Sequence, residues 1–271
     1  MVTGIKRFNL ATSLFNILNT NDENSTDFII AKYFLDHLYE LSNTSIYTVA
    51  DQCYLSRSSI QRFIKNIGFD SFTSLKEASK DLIAHQRSYT DYTDHTDYNR
   101  YLSESIKNMM DDINSTVKPV TLTNLARRIH DADTVVLMTA EGSGDAVKNF
   151  QQQMLTMGKL IRVVTSSSLS SGLLDQMDRN DMVITCSVTG NYAIAIQGEL
   201  SKCIPYKCLI TLNHSSLFES VYSSIFYIGK KISITQSQQK QFRNAYTMYG
   251  MEYFLDLLFH YYFMAYRDEA R

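Results

Sequence analysis

The chain has 271 residues, 44% of them hydrophobic, with 26 Lys and Arg against 28 Asp and Glu for a net charge of −2. That length holds two domains or one large one, and the apolar content is enough for sizeable cores. The near-neutral balance excludes a polyanion binder that works through bulk charge, so any contact with nucleic acid has to come from a local patch.

Two prolines and ten glycines point to a helix-rich chain. Residues 8–18 read as a short amphipathic helix, with Leu10, Leu14, Ile17 and Leu18 on one side. After a polar break, Ser25 or Thr26 caps a helix over 27–41 with Phe28, Ala31, Phe34, Leu35 and Leu38 inward. Residues 48–53 then form a short helix presenting Val49 and Ala50, and the chain turns at Tyr54, where glycine is the easier residue because such turns often need positive φ. Ser56 stands at an N-cap position and Gly68 at a helix stop. Between them, Ile60, Phe63, Ile64 and Ile67 fall on one face, while Ser58, Gln61, Arg62 and Lys65 fall on another, with Arg57 beside them. Short helix, tight turn and a second helix with an outward polar stripe is a helix-turn-helix pattern, and 56–67 is its recognition helix. Arg57, Ser58, Gln61 and Arg62 are chemically suited to base edges, and Lys65 and Ser56 to phosphates. The alternative is an ordinary helix pair with a solvated polar face.

Leu75, Ala78, Leu82 and Ile83 mark a further helix ending near Gln86, which closes an all-α domain over 1–86. The run R-S-Y-T-D-Y-T-D-H-T-D-Y over 87–98 has no helical period and reads as a linker. Asp91, Asp94, His95 and Asp97 lie close together there, but a solvated acidic hinge outweighs a metal site. Two helices over 99–117 and 121–130, broken at Pro119, open the second domain, 99–271.

From 133 onward, short apolar runs alternate with helical stretches. Strands are expected at 134–138, 160–164, 182–186, 207–211 and 224–228, and helices at 145–157, 169–177, 193–203 and 215–222. This alternation implies a five-stranded parallel sheet with helices on both faces, an αβα sandwich. A long helix over 239–266, apolar on more than one face, packs on the sheet and on a partner subunit.

Cys53, Cys186, Cys203 and Cys208 form no C-x-x-C pair and no His-linked metal spacing, and read as reduced thiols. The start M-V-T-G-I-K-R-F lacks the apolar core of a signal peptide. The most apolar stretch, 251–266, is too short to span a bilayer. A cytoplasmic protein without a membrane partner, metal or cofactor is expected.

Open α/β sheets bind ligands beyond the carboxyl ends of their strands. Two such ends carry Gly/Ser/Thr clusters, 140–144 and 187–192, each followed by a helix whose free N–H groups attract anions. A phosphorylated small molecule fits, and so does the plainer reading of ordinary βα turns. Neither cluster is G-x-G-x-x-G or a P-loop, so a nucleotide has no support.

The order helix-turn-helix, linker, α/β domain resembles the RpiR family of bacterial regulators of sugar catabolism. The run I-Y-T-V-A-D-Q-C-Y-L-S-R-S-S-I-Q-R-F-I-K-N-I-G-F-D-S-F-T-S-L-K is similar to the family pattern almost throughout, and N-D-M-V-I-T-C-S-V-T-G matches its strand leading into S-x-[ST]-G. The resemblance implies a flavodoxin-like sugar-isomerase (SIS) second domain that senses a phosphosugar, and a homodimer or higher oligomer on double-stranded operator DNA. It carries ligand contacts onto Gly142, Ser143, Ser187, Thr189, Gly190 and Asn191, and less directly onto Ser166 and Ser167. The chain departs from the family at Ala140 and Gly144 in the first loop and at Tyr192, where the family has Thr. The segment F-R-N-A at 242–245 resembles the start of the family's dimer-forming last helix.

A ligand-controlled transcription regulator is therefore the leading expectation. A sugar-phosphate isomerase or lyase is the rival and needs a poised base in the cleft; Glu141 is the only acid within either loop, and no catalytic residue is assigned. A module that keeps both folds but senses no ligand is the third reading.

Overall fold

The protein is described from a computed structural model, which describes residues 10–140, 144–165, 171–230 and 245–269. The chain divides into two compact units, Met1–Asp91 and Tyr92–Arg271.

The first unit is all helix. It runs α1 Leu10–Thr20, α2 Thr26–Asp36, a 3-10 turn Leu41–Asn43, α3 Ile46–Gln52, α4 Arg57–Asn66 and α5 Phe72–Thr93. Serine hydroxyls start three of these. Ser25 accepts from the Phe28 N–H, Ser45 from Thr48 and Ser56 from Ser59, at 3.2, 3.0 and 3.1 Å. Each satisfies a donor that the first helical turn cannot. The helices close on one core in which Leu14, Ile30, Phe34, Leu41, Val49, Ile60, Phe63, Ile64, Leu75 and Ala78 are buried. Phe34 meets Phe63 edge-on, with ring centroids 5.9 Å apart.

Most ends in this unit shift by a residue or two from the sequence reading, and two boundaries differ by more. The helix expected to reach residue 41 stops at Asp36, because the Leu38 N–H turns back to the Leu35 carbonyl at 3.4 Å and tightens the chain. Leu38 and Leu41 are buried all the same, from a turn and a 3-10 segment. The expected linker over 87–98 is helical as far as Thr93. A helix already nucleated on a packed stretch extends at one hydrogen bond per residue and needs no apolar stripe of its own. Of the acidic run, Asp97 accepts from the Arg100 N–H and caps the next helix, while His95 stacks on Tyr101 at 3.8 Å. No cluster of metal-ligating side chains occurs among the described residues.

The second unit opens with α6 Tyr98–Thr116 and α7 Pro119–Asp131, Pro119 sitting in the first turn where its missing N–H costs nothing. Then follow β1 Val135–Thr139, α8 Gly144–Thr156, β2 Ile161–Thr165, α9 Ser171–Asp175, β3 Met182–Cys186, α10 Asn191–Leu200, β4 Tyr206–Thr211, a 3-10 turn Ser216–Phe218 and β5 Ser224–Tyr227. The 3-10 turn stands where a helix over 215–222 was expected. A π turn, Tyr246–Gly250, leads into α11 Met251–Tyr266. The start of the last helix expected from 239 lies outside the described residues.

The five strands are parallel in the order β2-β1-β3-β4-β5, which is the flavodoxin-like arrangement. Every residue of β1 and β3 is buried. Val135, Leu137, Met182, Ile184, Cys208 and Ile210 pack in one cluster with residues of α6, α7, α8 and α11. Their alternate neighbours Val136, Met138, Val183 and Leu209 are also buried, so both faces of the sheet are covered. The π turn is anchored by Tyr246, whose hydroxyl donates to Asp112 on α6 at 2.6 Å. Burial and that carboxylate together raise the tyrosine's pKa. No helix of the described residues is long and apolar enough to cross a membrane.

Phe63→Ala removes the largest buried side chain of α4. It is expected to lower the stability of the first unit by about 3–5 kcal/mol, measured on the full chain as loss of that unit's helical signal at lower urea.

Candidate nucleic-acid interface and ligand loops

In the first unit the order α3, turn, α4 is a helix-turn-helix. The turn closes α3 with two backbone bonds, Tyr54 N–H to Asp51 O at 3.2 Å and Leu55 N–H to Ala50 O at 2.9 Å. This is the Schellman arrangement, which needs a left-handed residue after the helix. Tyr54 fills that position at φ 54°, the one non-glycine residue with positive φ among the described residues. The ends of α4 and α8 are built the same way, with Gly68 at φ 94° and Gly158 at φ 72°. The Tyr54 ring is 95% exposed, so no burial compensates its strain.

On α4, Ile60, Phe63 and Ile64 are buried, and Ile67 just beyond it is half-buried. Arg57, Ser58, Gln61, Arg62 and Lys65 are all exposed, as is Ser56 at the cap. The six expected DNA-facing residues thus share one solvated surface. Among the described residues none of the three cations there forms an ion pair. The Ser56 hydroxyl also lies 2.7 Å from the Ser58 hydroxyl and 2.9 Å from that of Ser59, knitting the first turn of α4 together. Arg57 donates from Nη1 to the Tyr47 hydroxyl at 2.9 Å and lies 5.1 Å from the centre of that ring. Tyr47 was missed at the sequence level, since it belongs to neither stripe of α4 and reaches it only through the turn.

In the second unit the loop after β3 carries four of the expected ligand residues. Ser187 is buried, and its hydroxyl accepts the Ala193 N–H at 3.3 Å. The Thr189 hydroxyl accepts the Asn191 N–H at 3.4 Å. Gly190 caps α10 in the left-handed region, at φ 79°. Asn213, just after β4, donates to the Thr189 carbonyl at 2.9 Å and accepts from the Ser215 N–H at 3.0 Å. A Cβ at Gly190 would stand 2.7 Å from the Asn213 side-chain nitrogen, so Gly190 is required both for its dihedral and for this approach. Tyr192, one of the departures from the family pattern, is 3% exposed. At the end of β1, Thr139 is fully buried. Gly142, Ser143, Ser166, Ser167 and Glu141 lie outside the described residues. Asn213 was also missed; the only sequence signal for it is its place at a strand's carboxyl end.

A helix-turn-helix with an unpaired cationic surface, joined in one chain to a parallel-sheet domain, defines a DNA-binding transcription regulator with a separate second domain. The comparisons with known proteins agree. Residues 14–86 match the helix-turn-helix domain of the rpiR family. Over 222 residues, 78% of this chain and 81% of the other, the sequence is 23% identical to the HTH-type transcriptional regulator GlvR of Bacillus subtilis (strain 168). The NanR protein of Vibrio vulnificus, solved in complex with ManNAc-6P, shares the fold at a TM-score of 0.51 and 14% identity, over 96% of this chain and 93% of that one. A hypothetical protein of solved structure aligns at a TM-score of 0.51 and 18% identity, over 65% of this chain and 94% of that one. The first unit therefore carries an rpiR-type helix-turn-helix domain, and the second unit shares its parallel α/β fold with these solved structures.

Replacing the strained turn residue, Tyr54→Gly, is expected to stabilise the first unit by about 1 kcal/mol. The readout is a higher urea midpoint for that unit's helical signal, with an unchanged slope.

Proposed function

We propose that the protein binds a duplex operator as a dimer and that a phosphorylated sugar at the carboxyl edge of its sheet controls that binding. Arg57, Ser58, Gln61 and Arg62 read base edges, and Ser56 and Lys65 hold phosphates. The observation that carries this reading is that one face of α4 is buried while all six of these polar groups are exposed. In a dimer, two such helices enter successive major grooves about 34–36 Å apart. Two copies also double the cations per operator, which a chain of net charge −2 needs. Apolar side chains left exposed at the last helix, Met248, Phe263 and Met264, support pairing there.

The ligand reading rests on the hydroxyl-rich loop Ser187–Asn191 at the start of α10 and on its likeness to the family's pattern. The ManNAc-6P complex of NanR supports a sugar phosphate as the ligand class. By the same family likeness, Gly142 and Ser143 are the further ligand candidates. Ligand must favour one arrangement of the reading heads to act as a switch. The protein acts as a sensor in the cytoplasm and not as an enzyme; the similarity to GlvR, named a transcriptional regulator, supports this, as does a loop after β3 that offers hydroxyl and amide groups.

Two measurements test this. Arg62→Ala is expected to weaken binding to a selected duplex by about 1–3 kcal/mol, read by fluorescence anisotropy; unchanged affinity removes Arg62 from the interface. A panel of sugar phosphates that includes ManNAc-6P is expected to contain one that raises the melting point, by about 2.7 kcal/mol of stability at a hundredfold excess over Kd. It should be bound without being turned over; a flat panel leaves the regulator without this ligand class.

A further inference from the structure

We propose that Tyr47 is a positioning residue for DNA recognition, holding the Arg57 guanidinium in one pose at the start of α4 so that Arg57 reads a base. The inference deepens the proposed function and rests on α4 being the recognition helix.

Arg57 is the first residue of α4, and the N-terminal residues of a recognition helix are those that meet base edges. An arginine there can sweep over several phosphates or lie in the plane of one base. Discrimination requires the second, because the paired bonds to guanine O6 and N7 depend on the orientation of the planar fork. Tyr47 restricts that orientation in two ways: its hydroxyl accepts from Arg57 Nη1 at 2.9 Å, and its ring lies 5.1 Å from the guanidinium carbon. The cation is held at one N–H and near the ring, and its remaining donors are left for a base.

The ring stands on a rigid base. Tyr47 is in the first turn of α3, where Ser45 caps the Thr48 N–H, and the helix is fixed from below by buried Val49 and Ala50. Tyr47 is itself 60% exposed, so core burial does not account for its place. The choice of partner also fits. A carboxylate would orient Arg57 as well but would cancel the charge that draws it to DNA. A phenol orients the cation and leaves the charge intact.

The test uses the full-length protein and duplexes it selects from a random pool. Tyr47→Ala is expected to weaken binding to the best selected site about three- to tenfold, and Tyr47→Phe, which keeps the ring, by less. In an Arg57→Ala background, Tyr47→Ala should cost nothing further. Repeating the selection with Tyr47→Ala should relax preference at the same base position that Arg57→Ala relaxes. An unchanged melting point confirms that the exposed ring is not needed for folding. Equal losses in both backgrounds would make Tyr47 an independent DNA contact and overturn the positioning role. So would unchanged binding, or relaxation at a different base. If the wild-type protein selects no duplex, the recognition-helix reading falls and takes this inference with it, an outcome separate from normal selection with a neutral Tyr47→Ala.

Discussion

The first unit depends on the burial of three side chains of one short helix. Ile60, Phe63 and Ile64 are at most 1% exposed, and they recur at the spacing that puts them on one face of α4. Burying that face leaves α4 no freedom to rotate about its own axis. Ser58, Gln61, Arg62 and Lys65 must then face water, whatever their individual preferences. The outer surface of α4 is set from beneath: Phe34 against Phe63 and small Ala50 on α3 decide which way Arg62 points. At roughly 25 cal/mol per Å² of apolar surface, three fully buried large side chains outweigh any single polar contact on the outer face.

The same economy of local rules governs how helices end. Three of them close with paired backbone bonds and a left-handed residue, and two of those use glycine. Tyr54 is the exception, and its ring is almost wholly in solvent. The turn therefore stays strained only because the helices on either side of it are fixed by Val49, Ala50 and Ile60. Strain held by neighbouring packing keeps the gap between α3 and α4 short, and a short gap is what lets Tyr47 on one helix reach Arg57 on the other.

What could be read from the sequence follows from the range of each interaction. The stripes of α4, the caps at Ser25 and Ser56 and the buried strands were legible because each depends on residues within a turn or two of one another; the cap at Ser45 was missed. The four ligand candidates from Ser187 to Asn191 were legible as a strand end leading into a helix. The end of α2 was not, because a single N–H that turns back from Leu38 to Leu35 leaves no mark in the hydrophobic pattern. The extension of α5 through a polar run was not, because propagation of a formed helix needs no amphipathic signal. Tyr47 and Asn213 were not, since each acts across a turn or between strands, and spacing along one element carries no trace of that.

The loop after β3 shows how such a tertiary contact changes the chemistry of a helix start. A bare N-terminus offers an anion its free N–H groups. Here the Ser187 hydroxyl already takes the Ala193 N–H and the Thr189 hydroxyl takes that of Asn191, at 3.3 and 3.4 Å. A hydroxyl that accepts from the backbone still has its own proton to give. The positive end of the helix is then relayed outward through O–H groups, which rotate, and less through fixed N–H groups, which do not. Gly190 keeps its left-handed turn against Asn213, whose side chain ties the loop after β3 to the loop after β4. The loop after β3 is therefore braced at its other end, so a displacement there is shared by two strand ends instead of being absorbed by one.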